Sequence, residues 1–434
     1  MPAYRSLFAI AEFRVLFVNR CVVMISVAAS GLALGTITFE ATRSPVLTGL
    51  SMFGGPLVSL VTSQLLLGAS DAVRPRTALL IQMAAAFVSD APQLVPGLPW
   101  QARFALMAIP YAVNSMFSGT QWVVVRDIVG ADSFVLARSA MNLAIGGTQV
   151  AGYGIGGLAL LWLSPRGLFA VAAVADLACL VNVWLGIRDR PARGGAGRAG
   201  GSVSGGRGRN IVRRTAAVNR RLIGSRVTRP LYLALWVPSG LITGCESLFV
   251  PYGHPGDGGH RPVAGYLFAA TAAGMMAGDL LVGRFVPPRQ RDRLIGPLQM
   301  LLAVPYLFFL LSPPVVVAVP LGFLASAGYA AALPLQERLI RCTGDEIQGQ
   351  VMGLYSQGMM AWQSLGALIA GAIASWLPPA RAMSMLAAAS VAVTIALIPG
   401  PRRAAPAALA PPPQPAASGG SGELAEGLVD GGAG

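Results

Sequence analysis

Few side chains in this 434-residue chain could do chemistry, and most of those stand in strongly apolar surroundings. Glu246 is the sharpest case. It lies sixteen residues beyond Pro230, about 24 Å along a helix that opens there, inside a run with no other acid. An ionisable group at membrane depth is costly and marks a functional site by default. Glu246 is therefore the first candidate for a proton-coupling or cation-recognising group, with a structural hydrogen-bonding role as the alternative. Asp176, also within an apolar run, is expected to be structural, and Glu40 and Asp90 are expected near a solvated surface. Arg20 is expected to snorkel to lipid headgroups. Asn114, Gln121, Gln357 and Gln363 could offer neutral hydrogen bonds to a substrate.

A second group is ionic. Asp71, Arg74 and Arg76 follow the second apolar run, and Arg126-Asp127 follows the fourth. Opposite charges a few ångströms apart at a partly dry interface can latch a gate, whereas arginines that only enforce topology would show the same composition. Gly152 and Gly156, like Gly274 and Gly278, have the four-residue spacing that lets helices approach closely. His254, Asp257 and His260 share a Gly-rich loop with no further ligand, and no metal is expected there. The chain contains no lysine, so it has no GxxxxGK[ST] loop for ATP phosphates, and it has no HExxH or nucleophile elbow. No enzymatic role and no cofactor are expected. Cys21, Cys179, Cys245 and Cys342 are far apart, without the spacing of a disulfide framework or zinc site.

The elements that must position these residues follow from composition. Hydrophobic residues make up 54% of the chain and charged residues 12%, about half the charged share of an ordinary soluble domain. That balance excludes a soluble enzyme and a disordered chain. Charge-free runs give predicted spans over 15–40, 46–68, 77–96, 101–125, 139–163, 167–187, 230–252, 262–283, 294–311, 315–335, 351–377 and 382–398. The turn between the ninth and tenth is set by Ser312-Pro313-Pro314. With the amino terminus inside, the outer loops hold only Arg43, Arg103, Arg166, Arg261 and Arg381 of the 32 basic residues. The positive-inside rule then puts both termini in the cytoplasm, and the net charge of +14 is a topology signal that argues against nucleic acid as a partner. No cleavable signal peptide is expected. Residues 188–229 form a Gly/Arg-rich linker whose second half, with Ile211, Thr215, Val218 and Leu222 at helical spacing, suits an interfacial helix or a solvated basic linker. Residues 399–434 read as a disordered cytoplasmic tail.

The chain repeats itself. Gln149, Gly152, Ile155, Gly157, Trp162, Leu163 and Pro165 recur 214 residues later as Gln363, Gly366, Ile369, Gly371, Trp376, Leu377 and Pro379. Both copies keep the same orientation, which predicts an all-α membrane protein of twelve helices in two pseudo-symmetric six-helix bundles, 1–187 and 230–398, with a cleft between them.

On these features the chain resembles the major facilitator superfamily over roughly residues 10 to 400. Gly68-Ala69-Ser70-Asp71-Ala72-Val73-Arg74-Pro75-Arg76 is similar to the family's loop between spans two and three, with one residue fewer between Gly and Asp and Ala72 in place of Arg. Gly152-Tyr153-Gly154-Ile155-Gly156-Gly157 is similar to the antiporter element of span five, with Tyr153 in place of Pro. Asp345 to Gly353 resembles a segment of the drug-efflux and siderophore-exporter branch. The resemblance implies alternating access, a gating role for Asp71, Arg74 or Arg76 with Asp127, and sliding contacts at spans two, five, eight and eleven. It also implies that span six is peripheral and that span seven lines the cleft. The expected function is proton-coupled export of small amphipathic molecules by a monomer in contact with lipid in a bacterial inner membrane. Uptake or facilitated diffusion on the same fold, and a non-transporting scaffold or sensor, are the alternatives.

Overall fold

A computed structural model of the chain describes residues 2–65, 73–117, 120–190, 218–253, 263–343 and 348–397. The described residues are helical, with no strand among them. In hydrocarbon every backbone N–H and C=O must be satisfied within its own segment, which favours helices over any open sheet. The helices are α1 (Pro2–Ala9), α2 (Ala11–Thr42), α3 (Pro45–Phe53), α4 (Gly55–Leu65), α5 (Pro75–Asp90), α6 (Trp100–Met116), α7 (Thr120–Ala159) and α8 (Pro165–Gly186). They continue as α9 (Thr228–Ser247), α10 (Phe249–Tyr252), α11 (Val263–Phe285), α12 (Pro288–Leu307), α13 (Val315–Ala327), α14 (Ala332–Arg341), α15 (Gln348–Ala374) and α16 (Pro379–Leu397). A helix lies over each of the twelve predicted segments. Seven of the described helical stretches are long and apolar enough to cross a membrane, or eight if α3 and α4, bent by 58° at Gly54, form one crossing.

Local chemistry sets the breaks. Ser44 and Ser164 each stand before a proline at the first helical position and accept a backbone N–H, from Leu47 at 3.4 Å and Gly167 at 3.1 Å. Ser312 adopts a left-handed conformation (φ 47°) and ends the stretch before Pro313-Pro314. Gly130 (φ 76°, ψ 169°) interrupts α7 in a backbone region open only to glycine and so divides the end of the fourth predicted span from the span of 139–163.

Packing pairs recur between the two halves of the sequence. α2 packs on α7 and α8, as α9 packs on α15 and α16. α5 lies against α8 and α4 against α6, as α12 lies against α16 and α11 against α13. The most extensive cross-pairings that join the halves are α7 with α11 and α3 with α15, with smaller ones of α4 with α15, α3 with α9 and α2 with α10. Glycines make these approaches close, as expected where lipid tails are as apolar as leucine and association depends on van der Waals fit. A methyl added to Gly152 would stand 2.9 Å from Ile25 Cα, and one on Gly156 would stand 3.1 Å from Ala29 Cα, so α2 and α7 run parallel. Gly274 and Gly278 abut the Phe323 and Ala327 carbonyls of α13 in the same way. These four glycines therefore pack helices within one half of the sequence, in contrast to the expected sliding contact. The contacts between halves use others: Gly157 against the Gly265 carbonyl (2.7 Å to an added methyl) and Gly49 against that of Ala367 (3.0 Å).

Two sequence expectations change. Residues 218–224 are helical, and Leu222 is buried with Tyr232, Leu335 and Leu339, so this helix docks on the protein. Asn219 there accepts a hydrogen bond from Gln350 at 3.1 Å. Ile211 and Thr215 lie outside the described residues. Arg103, expected in an outer loop, is buried, with its guanidinium donating to carbonyls of Gln93 (3.0 Å) and Leu98 (3.1 Å) and to Gln93 Oε1 (3.1 Å).

Candidate functional site

Among the places in the fold that hold polar groups which the packing does not consume, one is a cavity and one is the contact between the halves. The first is a cavity near the face at which α2 begins. Asn19, Arg20, Gln82, Tyr111, Asn114 and Gln121 supply its polar lining, from α2, α5, α6 and α7, while Leu16, Val23, Met24, Leu79 and Met83 supply apolar wall. Asn19 is committed to structure, donating to the Cys179 carbonyl at 3.2 Å and accepting from Asn182 at 2.7 Å. Arg20 does not snorkel to headgroups. It lies in this cavity, its Nε buried without a hydrogen-bond partner, and no acid among the described residues pairs with it.

The second place is the contact between the halves, nearer the opposite face. The Tyr153 ring lies between Phe53 and Phe268, stacked at 6.0 Å on each side. Ser364 donates to the Phe53 carbonyl across the same contact. Next to it, Glu246 is 8% exposed and its Oε1 has no hydrogen-bond partner. Its polar surroundings are the phenols of Tyr153, Tyr306 and Tyr329. The Tyr306 hydroxyl and Ser326 Oγ are likewise buried and unpartnered, and Tyr329 is 3.4 Å from Thr243 Oγ1. Buried polar atoms without partners are rare and mark a functional group or a bound water. Glu246 does not line the cavity that holds Arg20.

The other predicted residues scatter. Asn114 and Gln121 meet in the cavity, whereas Gln357 is exposed on α15 and Gln363 is half-buried there, and neither lines it. Asp71 lies outside the described residues, as do His254, Asp257 and His260. Arg74 pairs with Asp189 at 2.7 Å, and Arg76 donates to the Trp184 carbonyl. Both tie the start of α5 to the end of α8. Asp127 is exposed on α7 and engages a partner there. Asp279 and Arg284, towards the end of α11, form no ion pair with each other. Three further ion pairs at this face each lie within one half: Glu12 with Arg190 (2.5 Å), Arg291 with Glu337 (2.5 Å) and Arg341 with Asp292 (2.9 Å).

Asp90 is a correction. It is 5% exposed, not solvated, and accepts from Ser30 Oγ at 2.8 Å. Its carboxyl neighbours that of Asp176, whose oxygens are buried without hydrogen-bond partners. Sequence reading missed Gln82, Tyr306 and Tyr329. Two of these are phenols in apolar spans, and a phenol there needs a polar neighbour.

No family model matches the sequence, and no curated protein matches it. Solved structures do. A POT family transporter in complex with 5-aminolevulinic acid is similar at TM-score 0.63 and 13% identity, over 90% of this chain and 96% of that one. A D-xylose-proton symporter is similar at TM-score 0.64 and 11% identity, over 89% of this chain and 97% of that one. The nucleoside transporter NupG is similar at TM-score 0.65 and 10% identity, over 90% and 99%. At such identities the likeness shows that the chain shares its fold with these transporters. With seven or eight described helical stretches long and apolar enough to cross a membrane, the chain is an integral membrane protein.

Proposed function

We propose that this protein is a secondary transporter that moves a small amphipathic molecule across a bacterial inner membrane by alternating access. Residues 1–187 and 230–398 are read as two bundles of six spans that rock about their contact, with both termini in the cytoplasm. The observation that carries this reading is the arrangement of the two polar places. The Tyr153 stack and the Ser364 bond hold the halves together towards one face, while the Arg20 cavity lies near the other. Opening the first while closing the second would transfer a molecule from side to side. The recurrence of packing pairs between halves supports a rocking motion about a pseudo-two-fold axis.

Glu246 is the proton-exchanging group in this reading. It is a buried acid adjoining the Tyr153 contact, so its charge state acts directly on whether the halves can part. Asp71, Arg74, Arg76 and Asp127 serve the opposite face, where pairing of Arg74 or Arg76 with Asp127 would latch the second state. The direction is export by antiport, supported by the resemblance of residues 345–353 to efflux proteins. Uptake by symport is the second reading, and what favours it is the likeness to a sugar-proton symporter.

A substrate panel in proteoliposomes with an imposed pH gradient, run with Glu246→Gln alongside, tests the proposal. Gradient-driven movement in the wild type, lost in the variant while exchange at equal pH persists, is expected. The same rate and pH dependence in both would remove Glu246 from the coupling. Deleting residues 194–208 separates transport from scaffolding, because a transporter keeps its rate without them.

A further inference from the structure

Among the polar groups of the cavity, Arg20 is the one formal charge. A guanidinium carries five N–H donors in a planar fork and stays protonated at any physiological pH. Here it sits between apolar walls with an orphaned Nε and no acidic partner among the described residues. The side-chain amides of Gln82, Asn114 and Gln121 line the same space and make no hydrogen bond to the described protein. Arg20 is half-buried, and a cation whose Nε is sealed from water without a partner is a costly arrangement that a bound anion would relieve. The charge count limits that anion. One arginine with no second basic residue in the lining balances a single negative charge, which suits a carboxylate better than a dianionic phosphate ester.

We infer that Arg20 is the anion anchor of the cavity, and that the substrate is a small amphipathic monoanion whose carboxylate meets the Arg20 guanidinium while its apolar body lies against Leu16, Val23, Met24 and Met83. This rests on the cavity being the transport site of the proposal above. Arg20 is thus a specificity-determining residue. A cationic amphiphile would be repelled, and a neutral one would leave the guanidinium unpaired.

The test uses three probes that share one apolar body: phenylbutyrate, phenylbutylamine and phenylbutanol. Binding to the purified full-length protein in nanodiscs is measured by calorimetry, and transport by counterflow in proteoliposomes. Phenylbutyrate should bind more tightly than the other two. Arg20→Gln should weaken it by about tenfold to a hundredfold, the loss of a charge-assisted hydrogen-bonded pair, and Arg20→Lys should recover part of the loss. If Arg20→Gln fails to fold, the ranking of the three probes on the wild type decides alone. Equal binding of the three, preference for the amine, or binding of none would overturn the inference, as would an Arg20→Gln protein that keeps wild-type affinity. The two readings fail separately. Anion binding without counterflow would sink the transport proposal and keep the anchor, and counterflow of the amine or alcohol in preference to the anion would do the reverse.

Discussion

The Tyr153 ring stacks on that of Phe268 with centroids 6.0 Å apart and planes 20° from parallel, joining α7 to α11 across the two halves of the sequence. Its other face meets Phe53 at 6.0 Å and 28°. One residue thus bonds to both helices that the opposite half and its own half bring to the contact. Each aromatic pair contributes about 0.5–1.5 kcal/mol beyond its contact area. Only the pair with Phe268 is broken when the halves part, so Tyr153→Ala should raise the fraction of molecules open at this contact by about twofold to tenfold. Cys245 is a native reporter, a free thiol that is fully buried beside Glu246. Its alkylation by a water-soluble maleimide should quicken in Tyr153→Ala and stay slow in Tyr153→Phe. An unchanged rate in the alanine variant would show that the stack does not hold the halves.

Glycine contacts give a stability prediction with an internal control. Gly366 lies against the backbone of Gly240, where α15 meets α9, and a methyl on Gly244 would stand 2.6 Å from the Gly366 carbonyl. Gly366→Val should cost about 1–3 kcal/mol through overpacking and lower the unfolding temperature in detergent. Gly283, whose added methyl meets nothing within 4 Å, should accept alanine without loss.

Arg103 offers a third test. Its guanidinium, itself buried, satisfies carbonyls of Gln93, Leu98 and Val95 in the turn between α5 and α6. Arg103→Met should destabilise the protein by about 2–4 kcal/mol, since hydrogen bonds to a charged group are worth about 1.5–3 kcal/mol each but do not add fully. Thermal unfolding measures it. Arg103→Lys should restore little, because a single ammonium cannot span acceptors on three residues.

Glu246 predicts a kinetic phenotype. Glu246→Gln keeps the shape and the hydrogen-bonding capacity near Tyr329 and removes the titrating group. Counterflow at equal pH on both sides should continue, and a pH gradient should no longer accelerate net movement. Loss of both activities with an intact fold would assign Glu246 a structural role.

Much of this was legible in the sequence. Charge-free runs located the helices, because ionised groups are excluded from hydrocarbon, and helices lie over all twelve predicted segments. The 214-residue repeat carried geometry as well. Gly152 packs α7 on α2 where Gly366 packs α15 on α9, and Gly157 meets Gly265 of α11 where Gly371 meets Val46 of α3. Side-chain direction was not legible. Spacing placed Arg20 one turn inside a helix end, but whether it turns to headgroups or into a cavity depends on the neighbouring α5 and α6. Asp90 likewise ends a helix, and its burial comes from Ser30 and α8, which are distant in sequence. The glycine spacing showed that helices approach closely, and only the packing shows that Gly274 and Gly278 do so within one half.

The most direct test of alternating access is the distance between the two halves at each face, measured by pulsed electron spin resonance in nanodiscs. Trp162 and Leu311, both exposed and one in each half, take labels near the Tyr153 contact, and Asp189 and Arg341 take them at the other face. On shifting between alkaline and acidic buffer with phenylbutyrate present, the first distance should lengthen as the second shortens. Distances that stay fixed at both faces, or that change in the same sense, would contradict the account.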